Sequence, residues 1–500
     1  MKYFKEQLEI ENTLDPKNWS EMRELGHRMI DDIMDYLQNI REQPVWKKIP
    51  DGLKNYYEKD IPLNPQNIQD IYSEFKQFIL PYNKGNVHPR HWSWVEGNGT
   101  PFGVLADLLA SGMNANVTIG EHAAMYIDGQ VIEWCKQMLN YPKSATGILV
   151  SGGSIANITA LIVARNNLER KNIRKDGVRA VASPMVIYSS TETHSCIQKA
   201  AEVIGIGTNG VRKIPVNKDY RINIAELKKT IEVDLSDGYY PFCVIGNAGT
   251  VNTGAIDDLN AINEICRKYQ LWFHVDGAFG ALAKLIPEYS NELQAIELAD
   301  SVAFDLHKWM YMPYEVGCTL IKNGDAHRNA FSIVPNYLLH HERGLASGPE
   351  PINNYGMELS RGFKALKVWM SLKEHGLKKY VSLIRQNIAQ AFFLESLIKE
   401  HEELELITPV TMNIVCYRYL MPGLTLDQVN LLNKEILMNL QERGIASPSY
   451  TILNEKYAIR VAITNHRSRK EDFELLIKET IKIGYELINQ SENKSSNSIP

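Results

Sequence analysis

Three features of the sequence predict an α/β protein built on a mainly parallel, seven-stranded sheet. Seven short apolar runs recur between about Thr146 and Lys322: GILVS, PMVIYSS, VRKIPV, PFCVIGN, LWFHVD, SVAF and VGCTLIK. Several are separated by amphipathic stretches such as Asp257 to Tyr269. Polar clusters follow the apolar runs, where the carboxyl ends of parallel strands carry chemistry.

The remaining elements fall in place around this sheet. From Ser20 to about Ile40 apolar residues recur at helical spacing (Met22, Leu25, Met29, Ile33, Leu37), and a second helical stretch follows Ile68. Residues 1–86 therefore read as an N-terminal helical arm with little core of its own, expected to pack on another domain or on a partner subunit. Residues 87–375 form the large catalytic domain. A long helical region from about Met357 leads into residues 376–488, where NIVCYRY, ASPSYTIL and YAIRVAIT read as strands beside two helical patterns, a smaller α+β domain. Residues 489–500 hold too few apolar groups to offset the entropy of ordering and are expected to be disordered.

Composition narrows the function. The 500 residues, 44% of them hydrophobic, can bury a large core, and the formal charge of -5 provides no basic face for nucleic-acid phosphates or anionic lipid. Neither nucleic acid nor membrane is expected as a partner. The six cysteines are scattered without a CxxC pair, several inside apolar runs, and read as buried free thiols with no metal implied. The first twenty residues lack an apolar targeting core and no later stretch of about 18 residues lacks charge. A cytoplasmic location is expected.

Two glycine motifs compete for a phosphate. Gly205-Ile-Gly207-Thr-Asn-Gly210 fits a dinucleotide pattern but follows a helix and precedes a strand, the reverse of what a helix N-terminus needs to meet phosphate, and reads as a helix-ending turn. Ser151-Gly152-Gly153-Ser154 has the right order, strand then helix; its free amides and the Ser154 hydroxyl suit an anion, although a tight structural turn uses the same letters.

Three further strand ends carry reactive groups. The run DSVAFDLHKWM delivers Asp305, His307 and Lys308 to the edge of the sheet. A lone lysine is by default a solvated one, but a lysine at the end of an apolar strand suits capture of an aldehyde, once burial and nearby cations lower its pKa. LWFHVDGAF ends in Asp276, which by itself reads equally as a helix cap. A buried carboxylate needs a cationic or donor partner, and a protonated pyridine nitrogen is one. Gly277 and Ala278 leave room for a flat ring. His194, after VIYSS, reaches the same edge, where it stacks on a ring or serves as a cap or core residue.

With these residues in hand, the sequence resembles the group II pyridoxal-phosphate decarboxylases, of aspartate-aminotransferase fold (fold type I), and within them the aromatic-L-amino-acid decarboxylase branch. The resemblance runs from about Asp15 to Ile483. It is carried by HPR with the ADLL segment (His88 to Arg90, Ala106 to Leu109), SGGSIAN, TETHSCIQKA, GNAGTVNTGAIDDL, HVDGAFG, DLHKWMYMPYEVGC, and AFSIVPNYLLH to LSRGFKALKVW, in the family's order.

The resemblance implies pyridoxal 5'-phosphate as cofactor, decarboxylation of an L-amino acid to the amine, and a homodimer with shared active sites. It implies that Lys308 holds the cofactor as a Schiff base, that Asp276 pairs with the ring nitrogen, and that His194 and Ala278 flank the ring with Thr250 beside it. Gly152, Gly153, Ser154 and His307 are expected at the phosphate. Asp305 joins them where animal relatives have asparagine, accepting from a backbone amide or from His307 in place of a direct phosphate contact.

Tyr337, in a stretch resembling the family's closing loop (Tyr337 to Glu350), is expected to protonate the α-carbon; related aldehyde synthases carry phenylalanine there. The loop Asn114 to Thr118, which in relatives reaches the neighbouring subunit's site, is more polar here than an aromatic pocket requires. Where relatives that act on aromatic substrates show a run of the type FFAYFPT, this chain has His91 to Gly97, so Trp92, Trp94, Val95 and Glu96 are expected to decide the substrate. Glu96, replacing a proline, would repel a second substrate carboxylate by about 1 to 4 kcal/mol. An aromatic substrate is favoured. Histidine or a basic amino acid stands behind it, and oxidative deamination to an aldehyde or transamination stays open on the same cofactor. A cofactor-free scaffold is the third reading, disfavoured by Lys308, Asp276 and His194 occurring together.

Overall fold

The computed structural model describes residues 12–168, 172–333 and 341–496, the last six by backbone alone. Two compact units divide the chain, Met1–Lys84 and Gly85–Pro500.

In the first unit the helix Trp19–Gln38 starts where the Asn18 side chain accepts from the amides of Ser20 and Glu21. Its Asp32 accepts from the Tyr72 hydroxyl at 2.8 Å, tying it to the helix Ile68–Glu74. Leu25, Ile40, Val45 and Tyr72 are buried, whereas Trp19, Met22, Met29, Ile71 and Ile79 remain exposed.

The second unit holds twelve strands among its described residues: β1 (His91–Trp92), β2 (Thr146–Val150), β3 (Met185–Ser190), β4 (Val211–Ile214), β5 (Tyr240–Asn247), β6 (Trp272–Asp276), β7 (Ser301–Asp305), β8 (Gly317–Ile321), β9 (Leu404–Leu406), β10 (Ile414–Tyr419), β11 (Ser447–Leu453) and β12 (Lys456–Ala462). Seven of them form one sheet in the order β2-β8-β7-β6-β5-β3-β4. The pairs β7 to β6, β6 to β5, β5 to β3 and β3 to β4 are parallel, and only β8 runs against its neighbours. The seven apolar runs of the sequence are these seven strands.

Every residue of β3, β6, β7 and β8 is buried, as a sheet covered on both faces requires. Alternate residues serve the two faces: Val244 of β5 joins the core beneath the helices Ala123–Met138 and Leu259–Tyr269, while Cys243 and Ile245 join the one beneath Gly153–Asn166 and Cys196–Val203. All six cysteines are buried and free.

The smaller sheet has the order β1-β11-β12-β10-β9. It packs on the helices Ala365–Lys399, Leu426–Glu442 and Lys470–Ser496 through Leu394, Tyr417, Ile436, Ile459 and Phe473. The sequence did not show β9 or β1. The latter comes from the segment expected in the large domain and pairs in parallel with β11. The long helix starts at Ala365, later than the expected Met357, and kinks at Gly376, whose φ of 69° suits glycine. Helical backbone continues to Ser496, into the stretch expected to be disordered. Gly205 to Gly210 follow the helix Cys196–Val203 and lead into β4, so this is the turn expected and no nucleotide loop. Among the described residues no helix is long and apolar enough to cross a membrane.

Candidate active site

The carboxyl ends of β2, β3, β5, β6 and β7 open on one cavity of about 480 Å³. Its wall includes Gly152, Gly153 and Ser154 after β2, His194 after β3, Asp276 and Ala278 at β6, and Asp305, His307 and Lys308 at β7. The volume suits a small organic ligand.

Lys308 sits in the short helix Leu306–Trp309, and its Nζ lies 3.0 Å from Oδ2 of buried Asp305. Burial favours the neutral amine, but Asp305 and then Asp276 outweigh it and raise the Lys308 pKa above its ordinary value. This corrects the expectation that nearby cations lower it: the nearest charges are carboxylates, and they hold the ammonium. Asp305 thus partners Lys308 first, with His307 Nε2 farther off at 3.8 Å.

Asp276 Oδ1 accepts from the Ala278 amide at 3.2 Å, and Cys196 Sγ stands 4.0 Å from Oδ2. His194 Nδ1 accepts from the Cys196 amide at 3.1 Å, so the neutral ring carries its proton on Nε2. Burial, with Lys308 adding to it, lowers the His194 pKa against the pull of Asp276. His307 is likewise lowered, by burial first; its Nδ1 lies 3.0 Å from the Val316 carbonyl and 3.2 Å from the Val316 amide, and its ring lies 4.4 Å from that of Tyr314.

The glycines have a spatial reason. A methyl group at Gly153 would come within 2.9 Å of Asp305 Oδ2, and one at Gly152 within 3.0 Å of His307 Cε1. No side chain caps the helix Gly153–Asn166, so its first amides face the cavity without intrahelical acceptors. Together these make an anion cradle at a helix N-terminus, an amine at a strand end, a buried carboxylate across the cavity, and room beside Ala278 and the flat His194 ring. That donor set fits a phosphorylated pyridine aldehyde.

Two expected residues, Trp92 and Thr250, fall outside the cavity wall. Trp92 is fully buried away from the cavity: it stacks on Phe473 at 4.8 Å, and its Nε1 donates to Ser468 Oγ at 3.0 Å. Its place is the small-domain core, because β1 pairs with β11. Thr250 is buried but is not part of the cavity wall; its hydroxyl meets Thr253 Oγ1 at 3.0 Å and accepts from the Ala255 amide, while its neighbours Gly249 and Val251 line the space. Tyr337 lies outside the described residues. In the loop Asn114 to Thr118, Val117 and Thr118 are buried, and the loop is pinned by Asn116 Oδ1 accepting from the Arg361 amide at 2.9 Å. Trp94, Val95 and Glu96 do line the cavity, Trp94 half exposed.

Sequence reasoning missed Asn247, Tyr314 and Arg460, all in the wall. Asn247 ends β5, a signal that was available. Arg460 comes from β12, where a single arginine inside the apolar run YAIRVAIT was the clue. Four of its five N–H groups go to Asn252 O, Ser93 O, Ser449 Oγ and Val251 O.

Fold and cavity define an α/β enzyme that sets an amine against an anion cradle, and the comparisons specify which. The pyridoxal-dependent decarboxylase conserved domain matches residues 50–420, and the chain belongs to that family. It is 36% identical over 456 residues to an aromatic-L-amino-acid decarboxylase of Bacillus atrophaeus, covering 90% of this chain and 93% of the relative. Catharanthus roseus tryptophan decarboxylase, solved in complex with L-tryptophan, superposes with a TM-score of 0.84 at 26% identity over 95% of this chain and all of that one. Oryza sativa TDC, solved with PLP and tryptamine, superposes at 0.86 with 23% identity, over 95% of this chain and 100% of that one. The aspartate-aminotransferase-like fold type I is therefore the fold of this chain, and the enzyme is a pyridoxal-phosphate-dependent amino-acid decarboxylase.

Proposed function

We propose that the chain decarboxylates an aromatic L-amino acid to the amine and carbon dioxide, as a homodimer in the cytoplasm. The observation that carries the reading is the meeting of Lys308, Asp276, His194 and the Gly152 to Ser154 cradle in one cavity whose lining also includes Trp94, Val95, Phe279 and Tyr314. The aromatic substrates named for the Bacillus atrophaeus and Catharanthus roseus relatives support it. Exposed Trp19, Met22 and Met29 on the N-terminal helix support a partner subunit.

Lys308 Nζ is the amine that would hold the cofactor. Gly152, Gly153, Ser154 and His307 would bind its phosphate, Asp276 would pair with the ring nitrogen, and His194 and Ala278 would flank the ring. When bound, pyridoxal phosphate supplies the sink for the electron pair left behind as carbon dioxide departs. Arg460, with one Nη2 N–H left after its four bonds, sets the substrate carboxylate in the cavity wall. Tyr337 returns a proton from its hydroxyl to the α-carbon.

Carbon dioxide, amine, aldehyde and keto acid are to be measured from a panel of aromatic, basic and acidic amino acids, and the size of the particle by analytical ultracentrifugation. Stoichiometric amine from an aromatic amino acid is expected. Aldehyde or keto acid as the main product, or turnover confined to histidine or lysine, overturns the reading.

A further inference from the structure

The turn that carries Lys308 is gripped from both sides. Upstream, the His307 carbonyl accepts from the Gly97 amide at 3.1 Å, and the backbone packs so closely that a methyl group at Gly97 would lie 2.1 Å from that oxygen and 2.6 Å from Lys308 O. Downstream, Trp309 Nε1 donates to Asn387 Oδ1 at 3.1 Å, and the Tyr311 hydroxyl donates to the same oxygen at 2.8 Å. Tyr311 has a φ of 54°, in the left-handed region that a bulky residue rarely adopts, so its surroundings have to hold it there. Asn387 comes from the long helix Ala365–Lys399 and reaches back to a turn 78 positions earlier in the chain.

Both grips meet at one residue of the loop after β12. Asn387 Nδ2 donates to Asn465 O at 3.0 Å, and Asn98 Nδ2, one residue beyond Gly97, donates to Asn465 Oδ1 at 2.6 Å. The Asn465 side chain is itself fixed: Oδ1 also accepts from the Arg467 amide at 2.9 Å, and Nδ2 donates to His88 O at 2.8 Å. The contacts therefore run from His307 through Gly97, Asn98, Asn465 and Asn387 to Trp309, the two residues that flank Lys308. All three asparagines are buried. A second bond from Asn387 Nδ2 goes to Gln390 Oε1 at 3.0 Å, so its oxygen accepts two bonds and its nitrogen donates two. An indole N–H can only donate and a backbone carbonyl can only accept, which leaves this amide one orientation.

We infer that Asn387, anchored on Asn465, is a positioning residue for Lys308: it fixes the backbone around the lysine so that the amine meets the cofactor aldehyde in one orientation. This rests on Lys308 being the amine that holds the cofactor, and deepens that reading. None of the three asparagines lines the cavity, so they act through the turn. A displacement of about 1 Å, caused far from the chemistry, can slow a reaction about 10²-fold. An apolar residue at position 387 would leave Trp309 Nε1 and the Tyr311 hydroxyl buried without this acceptor, and would release the turn whose backbone needs holding. Asn387 and Asn465 both belong to the smaller domain, which thereby sets the geometry of a lysine carried by the larger sheet.

The test compares two cofactor forms on cofactor-free protein. Pyridoxal 5'-phosphate needs Lys308 for its covalent bond, whereas pyridoxamine 5'-phosphate, which has no aldehyde, uses only the phosphate and ring contacts. In Asn387→Leu the rate at which visible absorbance grows after adding pyridoxal phosphate should fall on the order of tenfold or more. The dissociation constant of pyridoxamine phosphate, by equilibrium dialysis, should not change. Asn387→Asp keeps the acceptor for Trp309 and Tyr311 but loses the donor to Asn465, and should slow capture as well. Asn433→Leu, which removes an equally buried asparagine bonded to Tyr419 and Val429, should leave both measurements where they are. Tyr311→Phe, giving up a single bond, makes the same comparison if the Asn387 variants do not fold. A wild-type capture rate in these variants, capture slowed as much in Asn433→Leu, or parallel losses for the two cofactor forms overturns this inference alone. Borohydride reduction of the wild-type holoenzyme that places the adduct on another lysine overturns the reading beneath it.

Discussion

Lys308 and Asp305 form an ion pair at the end of one strand, 3.0 Å apart, with the carboxylate almost wholly buried. The pair favours the protonated form of the reactive amine. Asp305→Asn removes the largest influence that raises the Lys308 pKa and leaves burial, which lowers it. The pH midpoint for covalent capture of pyridoxal phosphate by cofactor-free protein should move to lower pH, measured as the rate at which visible absorbance grows. A midpoint that stays in place, or rises, would show that Asp305 does not control the amine.

Tyr337 is the proton donor in the proposed reaction, and its removal should change the product rather than merely slow the reaction. Tyr337→Phe should lower amine yield by about 10²-fold or more, as expected for loss of a positioned general acid. Molecular oxygen should then be consumed, with aldehyde, ammonia and hydrogen peroxide formed together. Amine output equal to wild type under air would remove Tyr337 from the chemistry.

Trp92 should matter to stability and not to substrate choice. It is fully buried between Phe473 and Ser468, so Trp92→Ala should cost about 3–5 kcal/mol by denaturant unfolding. Among molecules that remain folded, KM for the preferred amino acid should stay within about twofold, since no cavity contact is lost. A selective rise in KM with unchanged stability would return Trp92 to the pocket.

The contrast between Trp92 and Trp94 shows where the sequence was legible. Continuous apolar runs bounded by polar clusters marked the covered strands of the large sheet, because a strand covered on both faces has to be apolar throughout, whereas the edge strand β4 carries Arg212 and Lys213 and is only partly buried. The same pattern put His194, Asp276 and Lys308 at strand ends, and parallel strands bring their carboxyl ends to one edge. Trp92 escaped because β1 is two residues long and pairs with a strand more than 350 positions later in the chain. Nothing in a local window reports such a pairing. Arg460 escaped for the same reason: it reaches the cavity from the other sheet. Thr250 sits at the right strand end, but its hydroxyl is taken by the turn it closes.

His274 lies two residues before Asp276 on β6, and its protonation should weaken the fold in acid. Trp272 Nε1 donates to Ser301 Oγ at 2.7 Å, Ser301 Oγ meets His274 Nδ1 at 2.8 Å, and His274 Nε2 meets Asn157 Oδ1 at 2.7 Å. Asn157 Oδ1 can only accept, so the neutral ring carries its proton on Nε2 and Nδ1 accepts. Burial pushes the His274 pKa down to about 4, against the pull of Asp276; burial also takes His327 and His466 to about 4. An unfolded imidazole takes up its proton near 6.5, so between about pH 6.5 and 4 the unfolded chain binds more protons and stability falls as pH falls. Each of the three should cost on the order of 3 kcal/mol by the time pH drops below about 4, at 1.36 kcal/mol per unit. Buried Asp128 and Asp257, whose carboxyls burial raises, act in the opposite direction, so the imidazole effect must be isolated by substitution. His274→Gln should lower the melting temperature at pH 7 yet show a smaller further drop between pH 6.5 and 4.5 than wild type, by calorimetry. Parallel losses in the two proteins would mean that the acid sensitivity has its source elsewhere than beneath Asp276.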